Sequence, residues 1–269
     1  MFDPRAFFGP PAEFREEWHL PTARLGRRVF VFRCIDSTNT QALRLIERPD
    51  LDGVALLADE QLVGRGQHGR TWFARPRAGV LLSLLLMPPP LLARPVVMTA
   101  LASVAVCQLV RTRTGKVPRI KWPNDVLVDG RKICGILIEQ ARHGDHAAVV
   151  VGLGLNVAQT EAEFAAAGLP GATSLNACGD DAERDSVARQ LLRLLDERYA
   201  QLLADDLAGL EAAWVAGLGV LGERVEIECH DAAHQGYLVE ATFAGLTLLR
   251  PDGDRLRLSP ESIRHIGRV

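Results

Sequence analysis

Short apolar runs alternate along this chain with glycines, prolines and Asx residues, and the runs follow two different periods. Val29-Phe30-Val31-Phe32-Arg33-Cys34, Val54-Ala55-Leu56-Leu57-Ala58 and Val80-Leu81-Leu82-Ser83-Leu84-Leu85-Leu86 are short runs bounded by turn formers, which predicts strands. A meander follows, over Arg119 to Lys121, Val126 to Val128, Lys132 to Gln140 and Ala147 to Val151, with His143-Gly144-Asp145 joining its last two strands. Helices interrupt this pattern. Asp36-Ser37-Thr38 offers N-cap residues, and Thr38 with Gln41 fits a capping box for a helix through about Glu47. Pro95 opens a second helix through Val110. Glu161 to Ala167 reads as a short helix. Val187, Leu191, Leu194, Leu195, Leu202 and Leu203 give Arg184 to Ala204 the period of an amphipathic one, and Leu207 to Ala216 follows it.

The texture changes around Gly217-Leu218-Gly219. Arg224 to Glu228, Tyr237 to Phe243 and Arg255 to Leu258 alternate, split by Gly236, Gly245 and Asp252-Gly253-Asp254, as in a small all-β unit. Three segments are therefore expected: an irregular lead-in over 1–28, a main domain over 29–218 and a small β domain over 219–269.

Composition narrows the class. A chain of 269 residues, 48% of them hydrophobic, can bury a sizeable core. A net charge of −2 leaves no basic footprint for nucleic acid. The five cysteines are odd in number, widely separated and free of Cys-x-x-Cys spacing, which fits a reducing compartment better than a disulfide framework or zinc site. Met1 to Trp18 has no signal-peptide pattern, and the longest apolar stretches, Val80 to Met87 and Val96 to Val110, fall short of the ~20 residues that span a bilayer. A cytoplasmic protein with no membrane and no nucleic-acid partner is expected.

Two segments carry the chemistry. Gly64-Arg65-Gly66-Gln67-His68-Gly69-Arg70 combines glycines, which permit close backbone approach, with two permanently charged forks suited to carboxylate or phosphate. Taken alone it reads equally as an anion-holding loop or as a surface hairpin with solvated arginines. Lys121-Trp122-Pro123-Asn124-Asp125 leads into Val126-Leu127-Val128, and Asp129-Gly130 then signals a type I′ turn that places Lys132 at the start of a strand, with Gly135 a gap farther along. Gly152-Leu153-Gly154 lacks the third glycine and the following helix of a dinucleotide fingerprint.

Together these segments resemble biotin protein ligases. The matching pieces are Asp36-Ser37-Thr38-Asn39, Glu60-Gln61 leading into Gly64-Arg65-Gly66 and Gly69-Arg70-x-Trp72, then Lys121 to Asp125 with Lys132 and Gly135, and Gly152-Leu153-Gly154-Leu155-Asn156. The resemblance runs from about Val29 to the C-terminus. It implies an α+β fold: a mixed sheet flanked by helices, similar to class II aminoacyl-tRNA synthetase cores, plus a small C-terminal SH3-like β-barrel. It also implies ATP and biotin as substrates with Mg²⁺, and a biotin carboxyl carrier protein, usually that of acetyl-CoA carboxylase, as acceptor. A homodimer is compatible with it.

The resemblance assigns roles residue by residue. Ser37, Thr38, Asn39 and Gln61 lie at the biotin end, and Gly64, Gly66 and Gln67 belong to the loop around it. Arg65 pairs with the carboxylate and then the adenylate phosphate, Arg70 meets the ATP phosphates, and Trp72 stacks on adenine or is core. Lys132 is the central charge between carboxylate and α-phosphate. Asn124 and Asp125 hold Mg²⁺ or the adenylate, Gly135 and Gly152 leave room for ligand, and the 152–156 segment closes over biotin. Gln67-His68 stands where many members carry arginine first, which removes one charge from the loop. Lipoate–protein ligases share the expected fold and acceptor chemistry and form the first alternative. A biotin-responsive regulator is the second; it is disfavoured because only 28 residues precede the first predicted strand and they lack a helix–turn–helix pattern. A non-enzymatic binding module is the third.

Overall fold

The computed structural model describes residues 2–143, 146–181 and 183–269, without the side chains of His68, His143 and His146. The connection expected at Gly144-Asp145 lies outside the described residues. A short helix α1 (Pro4–Phe7) leads to strands β1 (Glu13–His19) and β2 (Arg28–Ile35), helix α2 (Thr38–Leu43), and strands β3 (Ala55–Gln61) and β4 (Gly79–Leu86). Helix α3 (Pro95–Thr114) precedes β5 (Arg119–Lys121), β6 (Asp125–Val128), β7 (Arg131–His143) and β8 (His146–Asn156). Helices α4 (Glu161–Ala166), α5 (Arg184–Leu203) and α6 (Leu207–Leu218) then lead to β9 (Arg224–Cys229), β10 (Ala233–Thr242), β11 (Gly245–Leu249), β12 (Arg255–Leu258) and β13 (Ile263–Arg268).

The eight-stranded sheet has the order β1-β2-β3-β4-β8-β7-β6-β5, and only β2 and β3 pair in parallel. Strand β4 is central and fully buried, which explains its unbroken apolar run. Pleating sends Val80, Leu82, Leu84 and Leu86 to one core and Leu81 and Leu85 to the other. The first core holds α3 and α5; the second holds Phe2, Phe8, Phe30, Phe32 and Leu45. The expected α+β architecture, a mixed sheet with helices, is present.

Several boundaries differ from expectation. The first 28 residues are not an irregular lead-in: Glu13–His19 is the edge strand, paired antiparallel with β2. Its charges masked it, because an edge strand with one solvated face needs few apolar positions; Trp18 supplies one of them. Helix α2 stops at Leu43, and the capping box does not form, because the Thr38 hydroxyl and the Gln41 amide are engaged elsewhere, by Gln61 and Asp36. A true box forms at Thr160 with Glu163, ahead of α4. Helix α3 runs on to Thr114, giving 20 residues, long and apolar enough by length and composition to cross a membrane. It is instead a core helix, with Val97, Met98 and an unbroken buried run from Ala100 to Val106. Strand β10 passes straight through Gly236, where a side chain would strike the Leu249 carbonyl.

The C-terminal strands form one sheet, β12-β11-β10-β9-β13, and among the described residues no pairing joins β12 to β13. The small sheet shares the main core: Trp214 of α6 packs 5.2 Å from Phe243, and Trp122 Nε1 donates to the Ile263 carbonyl at 3.0 Å.

A buried charge cluster ties the start of α5 to the sheet. The Arg184 guanidinium donates to the carbonyls of Ala58 (2.6 Å) and Gly79 (3.1 Å) and to Asp59 (2.9 Å). Arg15 of β1 reaches Asp59 and Asp185 at 2.8 and 3.1 Å. Burial pushes the Asp185 carboxyl up, but Arg184 and Arg15 outweigh it and hold the group below its ordinary value. That contribution to stability is complete above the unfolded carboxyl value of about 3.9 and is lost as pH falls through the lower folded value. The Asp185→Asn variant is therefore expected to be less stable than wild type near neutrality, with the gap in urea midpoint closing as pH falls below about 4. A gap that stays constant as pH falls would contradict this.

Candidate functional site

The strand ends around β4, β7 and β8, the start of α2 and the glycine–arginine loop enclose a cleft of about 760 Å³ including its mouth. Of the residues singled out from the sequence, Gly64 does not line it. Ser37, Thr38, Asn39, Gln61, Arg65, Gly66, Gln67, Arg70, Trp72, Asn124, Asp125, Lys132, Gly135 and Gly152 all do. Gly64 is buried beneath the loop, where a Cβ would lie 2.5 Å from the Trp72 carbonyl. Lys121 is exposed on β5 and does not line the cleft.

One end of the cleft is a chain of neutral hydrogen-bonding groups. Ser37, Thr38 and Asn39 are buried at the start of α2. The Thr38 backbone N–H donates to Gln61 Oε1 at 2.7 Å, and its hydroxyl does so at 3.0 Å. Ser83 Oγ, inaccessible on β4, lies 2.7 Å from Thr38 Oγ1 and 2.5 Å from Asn39 Oδ1. The Asn39 amide then donates to Glu139 Oε2 at 2.9 Å.

The other end is cationic. The loop closes as a small hairpin, with Gly66 N–H on the Arg70 carbonyl (2.7 Å) and Trp72 N–H on the Gly64 carbonyl (3.1 Å). This aims Arg65 and Arg70 at the cleft. The Arg65 guanidinium donates to Glu139 Oε1 at 2.7 Å and to Thr40 Oγ1 at 3.3 Å. The side chain of His68 lies outside the described residues.

Lys132 stands between these ends. Asp129 and Gly130 both have positive φ, as a type I′ turn demands, so the expected hairpin forms. The Lys132 N–H donates to the Gly171 carbonyl (2.7 Å), and its own carbonyl accepts from Thr173 N–H (2.9 Å), so residues 171–173 clasp its backbone from outside the hairpin. Lys132 Nζ lies 2.6 Å from Asp125 Oδ1 and 5.4 Å from the centre of the Trp72 ring. The Asn124 amide donates to the Ile136 carbonyl at 2.6 Å while Ile136 N–H returns to the Asn124 carbonyl. The WPND turn is thereby bolted to β7.

Glycines shape the floor. Gly135 and Gly154 face each other across β7 and β8. The Trp72 ring lies against both; a Cβ at Gly135 would sit 2.8 Å from it. The Asn39 side chain occupies the space over Gly152. Trp72 and Asn39 lie over Gly135 and Gly152, because a residue without a Cβ lets a neighbouring side chain lie flat on the sheet, and both glycines still line the cleft. Gly152 to Asn156 continues β8 as a regular strand, consistent with rejecting the dinucleotide-binding reading.

Cys134 points into the core, and burial pushes its thiol far up, so it is no nucleophile. Three contributors escaped the sequence reading: Ser83, Glu139 and the 171–173 clasp. Ser83 carried a signal, as the lone hydroxyl in a seven-residue apolar run must find partners when buried. Ser83→Ala is expected to cost about 1–3 kcal/mol by leaving the Asn39 and Thr38 oxygens without their partner. Urea unfolding measures this, and a loss below about 0.5 kcal/mol would mean that the chain of groups does not depend on Ser83.

Residues 31–156 match the biotin/lipoate A/B protein ligase family. The biotin–[acetyl-CoA-carboxylase] ligase of Mycobacterium tuberculosis is 38% identical over 209 residues, 75% of this chain and 75% of that protein. The bifunctional ligase/repressor BirA of Bacillus subtilis is 32% identical over 208 residues, and the match spans 77% of this chain but 64% of that longer protein. A solved biotin protein ligase from Aquifex aeolicus in complex with biotin and ATP superposes with a TM-score of 0.68 at 25% identity, covering 90% of this chain and 99% of that one. On these grounds, and with its motifs gathered in one cleft, the chain belongs to the biotin protein ligase family.

Proposed function

We propose that this protein forms biotinyl-5′-adenylate from biotin and ATP and then transfers biotin to a lysine of a biotin carrier protein. The observation that carries this reading is the convergence of Arg65, Arg70 and Lys132, from segments far apart in sequence, on a cleft whose opposite end is neutral and hydrogen-bonding. A ureido ring suits the Thr38, Asn39 and Gln61 end, and a carboxylate then falls beside the cations. The name of the mycobacterial relative points to the carrier of acetyl-CoA carboxylase as acceptor.

The chemistry follows from charge. In the first half a biotin carboxylate oxygen attacks the α-phosphorus of ATP, and pyrophosphate leaves. Two anions must approach, so preorganised positive charge is the main requirement. Lys132, clasped by its backbone, supplies a fixed ammonium between the two reacting groups, while Arg65 and Arg70 neutralise the carboxylate and the phosphates. In the second half the carrier's lysine amine attacks the acyl carbon of the mixed anhydride, AMP leaves, and the amine gives up its proton. No enzyme nucleophile is needed, in keeping with the buried state of Cys134.

Mg²⁺ enters with ATP in this reading. Among the described residues no group of three His, Cys, Asp or Glu side chains stands ready for a metal. A phosphate-bridged Mg²⁺ needs only one or two carboxylates, and Asp125, with the Asn124 amide oxygen, fits that smaller demand. Bound there, the ion would neutralise phosphate charge. All five cysteines are free, which suits a cytoplasmic setting.

Intact mass spectrometry decides the reaction. The protein, ATP, Mg²⁺ and a biotin carrier domain are expected to give a one-biotin mass gain, with none when lipoate replaces biotin. Modification of a lipoyl domain instead would move the protein to the lipoate branch. For Lys132→Ala, pyrophosphate release is expected to slow on the order of 10²–10³-fold, the scale of losing one preorganised charge-stabilising donor. Release at the wild-type rate would remove Lys132 from the reaction.

A further inference from the structure

Glu139 has no place in the mechanism above, yet it touches both ends of the cleft. It sits on β7, with one carboxylate oxygen on Arg65 Nη2 at 2.7 Å and the other on Asn39 Nδ2 at 2.9 Å. Its side chain is 19% exposed, against 41% for Arg65. The guanidinium that the ligase reading assigns to the biotin carboxylate is therefore already paired, with a carboxylate of the protein itself.

The geometry points to Glu139 as a built-in stand-in for the substrate carboxylate on Arg65, setting how strongly the cleft prefers an anionic ligand over a neutral one. The inference rests on the ligase reading of the cleft. An incoming carboxylate must displace Glu139 from Arg65 or share the guanidinium with it, and either costs part of the pairing gained. A ligand of the same shape without the charge makes no such exchange. Glu139 thus taxes binding of the anion and leaves the neutral ligand alone. It also keeps Arg65 from a free, fully solvated orientation before substrate arrives. The contact to Asn39 is separable: a glutamine at 139 retains an oxygen for the Asn39 amide but presents no charge to Arg65.

The test is calorimetric binding of biotin and of biotinamide to the full chain, wild type and Glu139→Gln. Biotin is expected to bind the variant about two- to fivefold more tightly, the range of a part-exposed ion pair, with biotinamide unchanged. A purely structural role would shift both ligands together, since the Asn39 end reads the ring that they share. An unchanged biotin-to-biotinamide ratio, or weaker binding of biotin alone, would overturn the proposal. Should Glu139→Gln fail to fold, Glu139→Asp draws the charge back by one methylene and is expected to raise the ratio in the same direction; a ratio that does not rise there overturns it equally. Failure of wild type to bind either ligand would overturn the ligase reading itself, a result distinct from an unchanged ratio.

Discussion

The hydroxyl of Ser83 is the fixed point around which the cleft is arranged. It is a single polar atom on the central strand of a sheet buried on both faces, and a buried polar atom must be satisfied. Thr38 and Asn39 meet it, and in doing so they bring the first turn of α2 down onto the sheet. Gln61 holds Thr38 from β3, and Glu139 holds Asn39 from β7. Four elements are thereby locked in register by hydrogen bonds that apolar packing alone would not specify. Glycine at 152 makes this possible, because the Asn39 amide lies where any side chain would stand.

The cationic end follows a different principle. Its charges are not buried in the sheet but carried on a loop and a hairpin, where they remain hydrated until a ligand arrives. Arg65 and Lys132 each have a provisional partner, Glu139 for the first and Asp125 for the second. Permanent positive charges crowded at one mouth repel one another, and internal carboxylates relieve that repulsion in the free protein. The backbones that carry these charges, the loop closed at Gly66 and Gly64 and the hairpin clasped at Lys132, are fixed while the charged heads are not buried. The buried Arg184 cluster shows the opposite solution, in which a cation is fully enclosed and its donors reach carbonyls and carboxylates.

Much of this is legible in the sequence, and unevenly so. The central strands stand out because both of their faces are covered, which leaves apolar runs too short for a helix and too continuous for a loop. Loop and hairpin motifs are legible because Gly-Arg-Gly and Asp-Gly have narrow conformational and chemical uses. Strand β1 is not, since Glu13, Arg15, Glu16 and Glu17 are spent on solvent and on a charge network whose partners lie as far away as Asp185. Glu139 is hidden for the same reason: its partner Arg65 is 74 positions away, and no local pattern records such a distance. Glycines at 135 and 152 are conspicuous in the sequence, but their neighbours are not, because Trp72 and Asn39 come over them only in the fold.

The clasp of residues 171–173 on Lys132 bears on the order in which the protein is made. Chains emerge from the ribosome N-terminus first. The glycine–arginine loop, the WPND turn and the Lys132 hairpin all lie before Asn156, where β8 ends. Both backbone groups of Lys132, however, wait for partners at Gly171 and Thr173, and the edge of the sheet waits for Arg184 and Asp185. The hairpin that carries Lys132 is thus translated before the segment that clasps it, so a nascent chain can carry this lysine without yet having its backbone fixed.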